Sequence, residues 1–224
     1  GDALPSTPVS LAVALADKLE TLVGLFGIGQ LPTGEKDPFA LRRHALGVLR
    51  MLIEKELRVS LPEMIDAAWA AEAEVPGVTD NRAALLEFFA DRLRVMLRDR
   101  GATAQEADAI LALHPAKLAD IPQRLAAVQA FMALPESESL TAANKRIGNI
   151  LRKVEGEVSD VVDPAALVED AEKRLHEELL AVEPRAEELY EAGRFEEMLV
   201  AIAALRAPVD AFFEGVMVNA EDPK

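Results

Sequence analysis

Leu41, Ala45, Val48, Leu49 and Leu52 fall at i, i+4, i+7, i+8 and i+11. Those positions share one face only if the backbone turns every 3.6 residues, so the stretch is read as an amphipathic helix. Its start is marked. Asp37 is expected as N-cap, accepting hydrogen bonds from free backbone N–H groups, with Pro38 at the first helical position, where no donor is lost. Arg43 and Arg50 stand two turns apart on another face, Arg42 flanks them, and Lys36 lies in the loop just before. A buried stripe is thus expected to hold a row of cations beside a helix start.

The same period governs the rest of the chain. Residues 7–24 read as a helix with Pro8 near its start, Gly24 near its end, and Leu11, Leu15, Leu19 and Leu22 inward. Ser60-Leu61-Pro62-Glu63 and Thr103-Ala104-Gln105-Glu106 are capping-box patterns opening two further helices. Residues 82–99 place Leu85, Phe89, Leu93 and Met96 on one face, with Gly101 as stop. Asp120 and Pro122 begin the next helix, and Leu140, Ala143, Ile147, Ile150 and Leu151 stripe another. Asp163-Pro164 should start a long helix that Pro184 breaks or kinks. Residues 194–218 read as a helix pair or a helix bent at Pro208. No two-residue alternation persists and aromatics are 4%, so the expected fold class is all-α, in two helical units. Residues 74–81, carrying Pro76 and Gly77, are the best candidate linker.

Charge narrows the partners. The formal net charge is −15, which argues against a nonspecific nucleic-acid binder, so no DNA partner is expected. It is uneven: 19 acidic and 6 basic residues lie from Glu155 to Lys224. RNA contact, if it occurs, belongs on local basic faces before Glu155. No apolar run is long enough to span a bilayer, so no membrane partner is expected. Without cysteine, disulfides and thiolate metal sites are excluded. That fits a reducing compartment, and the expected location is cytoplasmic.

No catalytic constellation and no metal site emerge. The Gly29–Lys36 loop lacks the Gly-Lys-Ser/Thr order that cradles phosphates and follows a helix rather than a strand. His44, His114 and His176 are scattered and form no helix-borne metal pair. No Ser lies in a nucleophile elbow. The best functional face is on the 140–153 helix. Lys145, Asn149 and Arg152 fall at i, i+4 and i+7, with Arg146 and Lys153 beside them. Such a strip can hold phosphates through Lys and Arg while Asn addresses a base edge; on the residues alone, a solvated helix face is the commoner reading of such a pattern. Gly148 in mid-helix costs about 1 kcal/mol relative to Ala, which points to close approach of another backbone. Arg92, Arg94 and Arg98 form a second cluster, for which pairing with Asp91 is the favoured reading. Phe212, Phe213 and Met217 are expected to pack; a stacking role needs one of them exposed beside the basic strip.

Three segments carry a family resemblance: Gly-Glu-Lys-Asp-Pro-Phe-Ala-Leu-Arg-Arg at 34–43, Ala-Ala-Asn-Lys-Arg-Ile-Gly-Asn-Ile-Leu at 142–151, and Leu-Arg-Ala-Pro-Val-Asp-Ala-Phe-Phe-Glu-Gly-Val-Met-Val at 205–218. In this order they resemble the beta subunit of bacterial tetrameric glycyl-tRNA synthetase. The resemblance implies a C-terminal third, starting at Gly1 rather than Met as an excised piece would, with the family pattern running past Pro223. It implies residues 1–58 as the trailing part of an HD-like helical domain, 59–81 as a helix and linker, and 82–224 as a helical anticodon-binding-like domain shared with arginyl-tRNA synthetases. It implies a ligase that joins glycine to its tRNA with ATP and magnesium, none bound by this stretch, since adenylate formation belongs to the alpha subunit. Implied partners are glycine tRNA, the alpha subunit and the rest of the beta subunit. Candidate RNA-binding residues are Lys145, Arg146, Asn149, Arg152, Lys153, Lys36, Arg42 and Arg43. Two other readings stay open: a subunit-assembly module, and a metal phosphohydrolase using Asp17, which resembles the last ligand of HD-type enzymes but lacks its His and His-Asp partners.

Overall fold

In a computed structural model, residues 3–34, 36–154 and 161–216 are described. Glu35, Glu155, Met217 and Val218, all part of the expectations above, lie outside them. The described residues form ten α-helices: α1 Pro8–Gly27, α2 Leu41–Glu54, α3 Leu61–Glu72, α4 Arg82–Asp99, α5 Ala104–Leu111, α6 Ile121–Met132, α7 Ser137–Leu151, α8 Asp170–Glu191, α9 Phe195–Ala203 and α10 Arg206–Gly215. Two short 3-10 turns, Leu118–Asp120 and Pro164–Ala166, complete the regular structure. Two isolated β-bridges, Thr33 with Lys36 and Ser60 with Lys117, are the only extended pairings among the described residues. The all-α expectation holds.

The chain divides into two compact units, residues 1–125 and 126–224. The first has a dense core. α1 packs on α2, α3 and α4, and α4 packs on α2, α3 and α5. Phe26, Leu49, Leu52, Leu85, Phe89 and Leu97 are fully buried between them. The α2 stripe follows its spacing: Leu41, Ala45, Val48, Leu49 and Leu52 are all buried.

The division expected at 58 and 82 does not describe this packing. Residues 74–81 are tied to the end of α1. The Thr79 N–H and hydroxyl both donate to the Gly27 carbonyl, at 2.9 and 3.0 Å. Asn81 Nδ2 donates to the Phe26 carbonyl at 2.7 Å. A Cβ on Gly27 would stand 2.5 Å from Val78 Cγ1, so glycine there admits the returning segment. The Pro and Gly that read as a linker make a tight reversal, with Gly77 at φ +87°, and α4 belongs to the first unit.

Two helix starts differ from expectation. α1 runs to Gly27, past Gly24, whose missing side chain leaves room for the Glu72 carboxylate. α2 begins at Leu41, not Pro38. Asp37 still caps it, accepting from the N–H groups of Leu41 at 2.8 Å and Arg42 at 3.0 Å. Residues 37–40 form a turn instead, and Ala40 sits at φ +54° to let the carboxylate reach forward. Both capping boxes locate their helices. Thr103 and Glu106 satisfy each other's backbone N–H reciprocally, while Ser60 accepts from the Glu63 N–H at 3.3 Å.

The second unit is thinner. α8 packs on α9 and α10, and α10 on α7. Among the described residues its buried apolar side chains are Ala127, Leu189, Phe195, Ala203 and Leu205, with Pro208 buried beside them. Asp163-Pro164 opens only the 3-10 turn, and α8 starts at Asp170 behind a Glu169–Glu172 capping box. α8 continues through Pro184 rather than breaking. The carbonyl that loses its donor belongs to Leu180. Both residues are exposed, so water can take that bond. The final bend is at residues 204–205, and Pro208 lies inside the first turn of α10, where its missing N–H costs least.

Candidate nucleic-acid interface

α7 carries the cationic strip. Ser137, buried at the first position, donates its hydroxyl to the Leu134 carbonyl at 2.8 Å and fixes the turn from α6. Ser139 donates to Asp210 of α10 at 2.7 Å, pinning the two helices. From there Lys145, Arg146, Asn149, Arg152 and Lys153 all emerge exposed. Among the described residues no ion pair reaches Lys145, Arg146, Arg152 or Lys153. The ion pairs of the second unit among the described residues are Lys173–Asp170, Arg185–Glu188, Arg194–Glu197 and Arg206–Asp210. Acidic neighbours therefore do not neutralise the strip among the described residues.

Within the strip the side chains are organised. Arg152 donates Nε to the Gly148 carbonyl at 3.1 Å and a second nitrogen to Asn149 Oδ1. Asn149 Oδ1 is thereby engaged, which leaves the amide NH2 as its remaining polar group. Arg146 lies over the Phe213 ring, with its guanidinium carbon 4.1 Å from the centroid. That is a cation–π contact. Phe213 meets Phe212 edge-on at 5.3 Å and is half-buried, so the packing expected of these rings is partial. One ring does stand beside the basic strip. Sequence reasoning gave no reason to join Arg146 to Phe213, since the pair spans α7 and α10.

Gly148 differs from expectation. A Cβ there would meet nothing within 4 Å, so among the described residues no other backbone approaches it. The α7 stripe is also less buried than its spacing suggested: Ile147 is 40% and Leu151 50% exposed.

The first unit holds the other candidates. Lys36 is exposed, its backbone paired with Thr33 at 2.8 and 3.1 Å. Arg42 donates to the Gly34 carbonyl at 2.5 Å and so fastens the loop to the start of α2. Arg43 is exposed, without an ion pair among the described residues. Arg50, already placed in the α2 row by its spacing, lies nearby with two cations the sequence did not single out, Lys18 and Arg100. Lys18 reaches α2 because position 47 is glycine; a Cβ there would stand 3.0 Å from Lys18 Cε. Arg50 and Arg100 share the Glu54 carboxylate, at 3.1 and 2.6 Å, and Arg50 above all holds that carboxyl below its usual range. Burial, then Lys18, pushes the His44 imidazole down, and no hydrogen bond reaches its buried Nδ1. Arg94 pairs with Asp91 at 2.9 Å and Asp108 at 3.1 Å, as the structural reading of that cluster expected for Asp91. Asp17 is exposed, and no group of three or more His, Asp or Glu side chains is placed to hold a metal among the described residues. Nor is any described helix long and apolar enough to cross a membrane.

The described residues are thus all-α, and the second unit presents an exposed cationic face on α7. The family model described as DALR anticodon binding domain matches residues 140–224. The model described as Glycyl-tRNA synthetase beta subunit matches residues 1–112. The glycine–tRNA ligase beta subunit of Leptothrix cholodnii is 60% identical over 223 residues, covering 100% of this chain and 31% of its own length. That of Janthinobacterium sp. is 60% identical, covering 99% and 31%. That of Dechloromonas aromatica is 58% identical, covering 100% and 31%. The chain belongs to the glycyl-tRNA synthetase beta subunit family, and spans about a third of the length of these relatives.

Proposed function

We propose that this chain is the C-terminal, tRNA-binding part of a glycine–tRNA ligase beta subunit, docking the anticodon arm of glycine tRNA on α7. The observation that carries it is the strip itself. Lys145, Arg146, Arg152 and Lys153 are exposed on one helix of an acidic chain, with no ion pair among the described residues. Lys and Arg orient the RNA through its phosphates, and the amide NH2 of Asn149, whose Oδ1 is held by Arg152, addresses an unpaired base edge. Phe213, with Arg146 across its face, offers a ring on which such a base can stack, worth about 1–3 kcal/mol by alanine substitution. Lys36, Arg42 and Arg43 contribute a second, placing contact. ATP and magnesium serve the whole enzyme, glycyl-adenylate forms on the alpha subunit, and this part turns over no glycine alone. The remaining partners are the alpha subunit and the rest of the beta subunit, in the cytoplasm.

The test is replacement of Lys145, Arg146 and Arg152 by Ala, with binding of a glycine tRNA transcript measured at two salt concentrations. Affinity should fall at least tenfold. The salt slope should shrink by roughly two to three, near 0.9 for each phosphate no longer neutralised. The exposed Ile147 and Leu151 beside the strip favour a second reading, a module for subunit assembly. Unchanged RNA affinity in the triple variant would leave that reading as the better one.

A further inference from the structure

Between α2 and α4, within the first unit, lies an open cleft of about 690 Å³. Five guanidinium groups line it: Arg42, Arg43 and Arg50 from α2, and Arg92 and Arg100 from α4. Three carboxylates share the wall, and two are already engaged. Asp37 caps α2, and Glu54 bridges Arg50 and Arg100. Asp99 is the third. Arg92 is the group the fold leaves unexplained. Its Nε is buried and no hydrogen bond reaches it, while its guanidinium carbon stands 5.7 Å from the Phe88 ring. Arg92 nevertheless lines the cleft, and no ion pair ties its guanidinium to a carboxylate among the described residues. On the other side of α2, Arg43 and Arg50 line a second cleft of about 460 Å³ together with Lys18 and His44. The cations therefore form an arc across both flanks of one helix.

We infer that this arc is a phosphate-binding cleft, filled by successive phosphodiester groups of an RNA strand, with Arg92 and Arg43 as principal contacts. The inference rests on the tRNA-binding reading above and deepens it: the placing contact of Arg42 and Arg43 becomes a cleft shared with Arg50, Arg92 and Arg100. Geometry favours a strand over a free anion. Arg43 and Arg50 are seven residues apart, roughly 10 Å along the axis, and Arg92 and Arg100 roughly 12 Å. No single phosphate spans that. A free nucleotide needs a slot for its base, but the non-ionic lining residues are Ala40, Leu46, Val95 and Met96, with no aromatic face and no side-chain amide. Guanidinium forks suit phosphate oxygens bidentately. The sequence alone favoured ion pairing for the cluster at 92–98, and only the packing of α4 on α2 separates Arg92 from Arg94.

The experiment uses the full chain with Arg43→Gln and Arg92→Gln combined, Arg43→Gln alone, and the Lys145→Ala/Arg146→Ala/Arg152→Ala variant. Probes are a glycine tRNA transcript at two salt concentrations and, separately, inorganic pyrophosphate and ATP. The double variant should bind the tRNA about tenfold more weakly, with a salt slope smaller by about two. Its loss should add to that of the α7 variant, since the sites share no side chain. If Arg92→Gln unfolds the chain, Arg43→Gln alone, at an exposed position, should lose about threefold and one unit of slope. Wild-type affinity and slope in the cleft variants, with loss in the α7 variant, would overturn the cleft and leave the anticodon-arm reading standing. Loss only in the cleft variants would keep the cleft and overturn the α7 reading. Micromolar binding of pyrophosphate or ATP, abolished by the double variant with tRNA affinity unchanged, would also overturn the RNA assignment.

Discussion

Two glycines with opposite surroundings separate packing from approach. A Cβ on Gly27 would press within 2.5 Å of Val78 Cγ1, a stiff branched side chain. Gly27→Ala is therefore expected to destabilise the chain by about 1–3 kcal/mol, the range for overpacking a filled site. Gly148 faces open space on a helix. Gly148→Ala is expected to raise stability by up to about 1 kcal/mol, because alanine restricts the unfolded chain and favours helix. Chemical denaturation of the two variants checks both signs. The sequence placed Gly27 beyond the end of the first helix and Gly148 in the middle of a cationic one, and only the neighbour in space shows which glycine is packed against and which faces open space. Arg146 makes the same point. Its place on the basic strip follows from spacing alone, but its ring partner Phe213 is 67 positions away in the numbering and no local pattern joins them.

Helix ends were the most legible feature where the capping chemistry is reciprocal, and the least where one residue can serve two geometries. Thr103 and Glu106 are unambiguous because each satisfies the other's backbone N–H. Asp37-Pro38 is ambiguous. The pair suits a helix starting at Pro38, and equally a turn from which Asp37 caps the N–H groups of Leu41 and Arg42. The two differ in consequence. With the turn in place, Asp37→Ala should cost about 1 kcal/mol or somewhat more, as N-cap removal does. Pro38→Ala should cost no more than about 0.5–1 kcal/mol, chiefly through the unfolded state. Equal losses above roughly 2 kcal/mol in thermal melts would restore Pro38 to the helix. Pro184 failed as a breaker for a related reason. Sequence shows the missing N–H, but not that the carbonyl it abandons lies on an exposed part of α8.

Over the whole molecule, the all-α class was legible because apolar residues recur at helical spacing almost throughout. The division into units was not. Residues 74–81 have linker composition, yet their donors reach carbonyls more than 50 positions back in α1, and a window of sequence cannot see that bond. The candidate site was legible as a strip and not as a surface. Lys145, Arg146, Asn149, Arg152 and Lys153 came from spacing, whereas Lys18, Arg92 and Arg100 joined Arg43 and Arg50 only through packing of α1 and α4 on α2. The proposed RNA docking is a property of the molecule's surface: on a chain of net charge −15, it needs the cations of α7, without ion pairs among the described residues, to be free to meet phosphates. Its most direct test is binding of glycine tRNA against a noncognate tRNA to the unmodified chain, each at low and high salt. Both should weaken as salt rises, and a preference for the glycine tRNA of about tenfold or more should persist, because base contacts are less salt-sensitive than phosphate contacts. Equal affinity for the two RNAs, vanishing together at high salt, would contradict it.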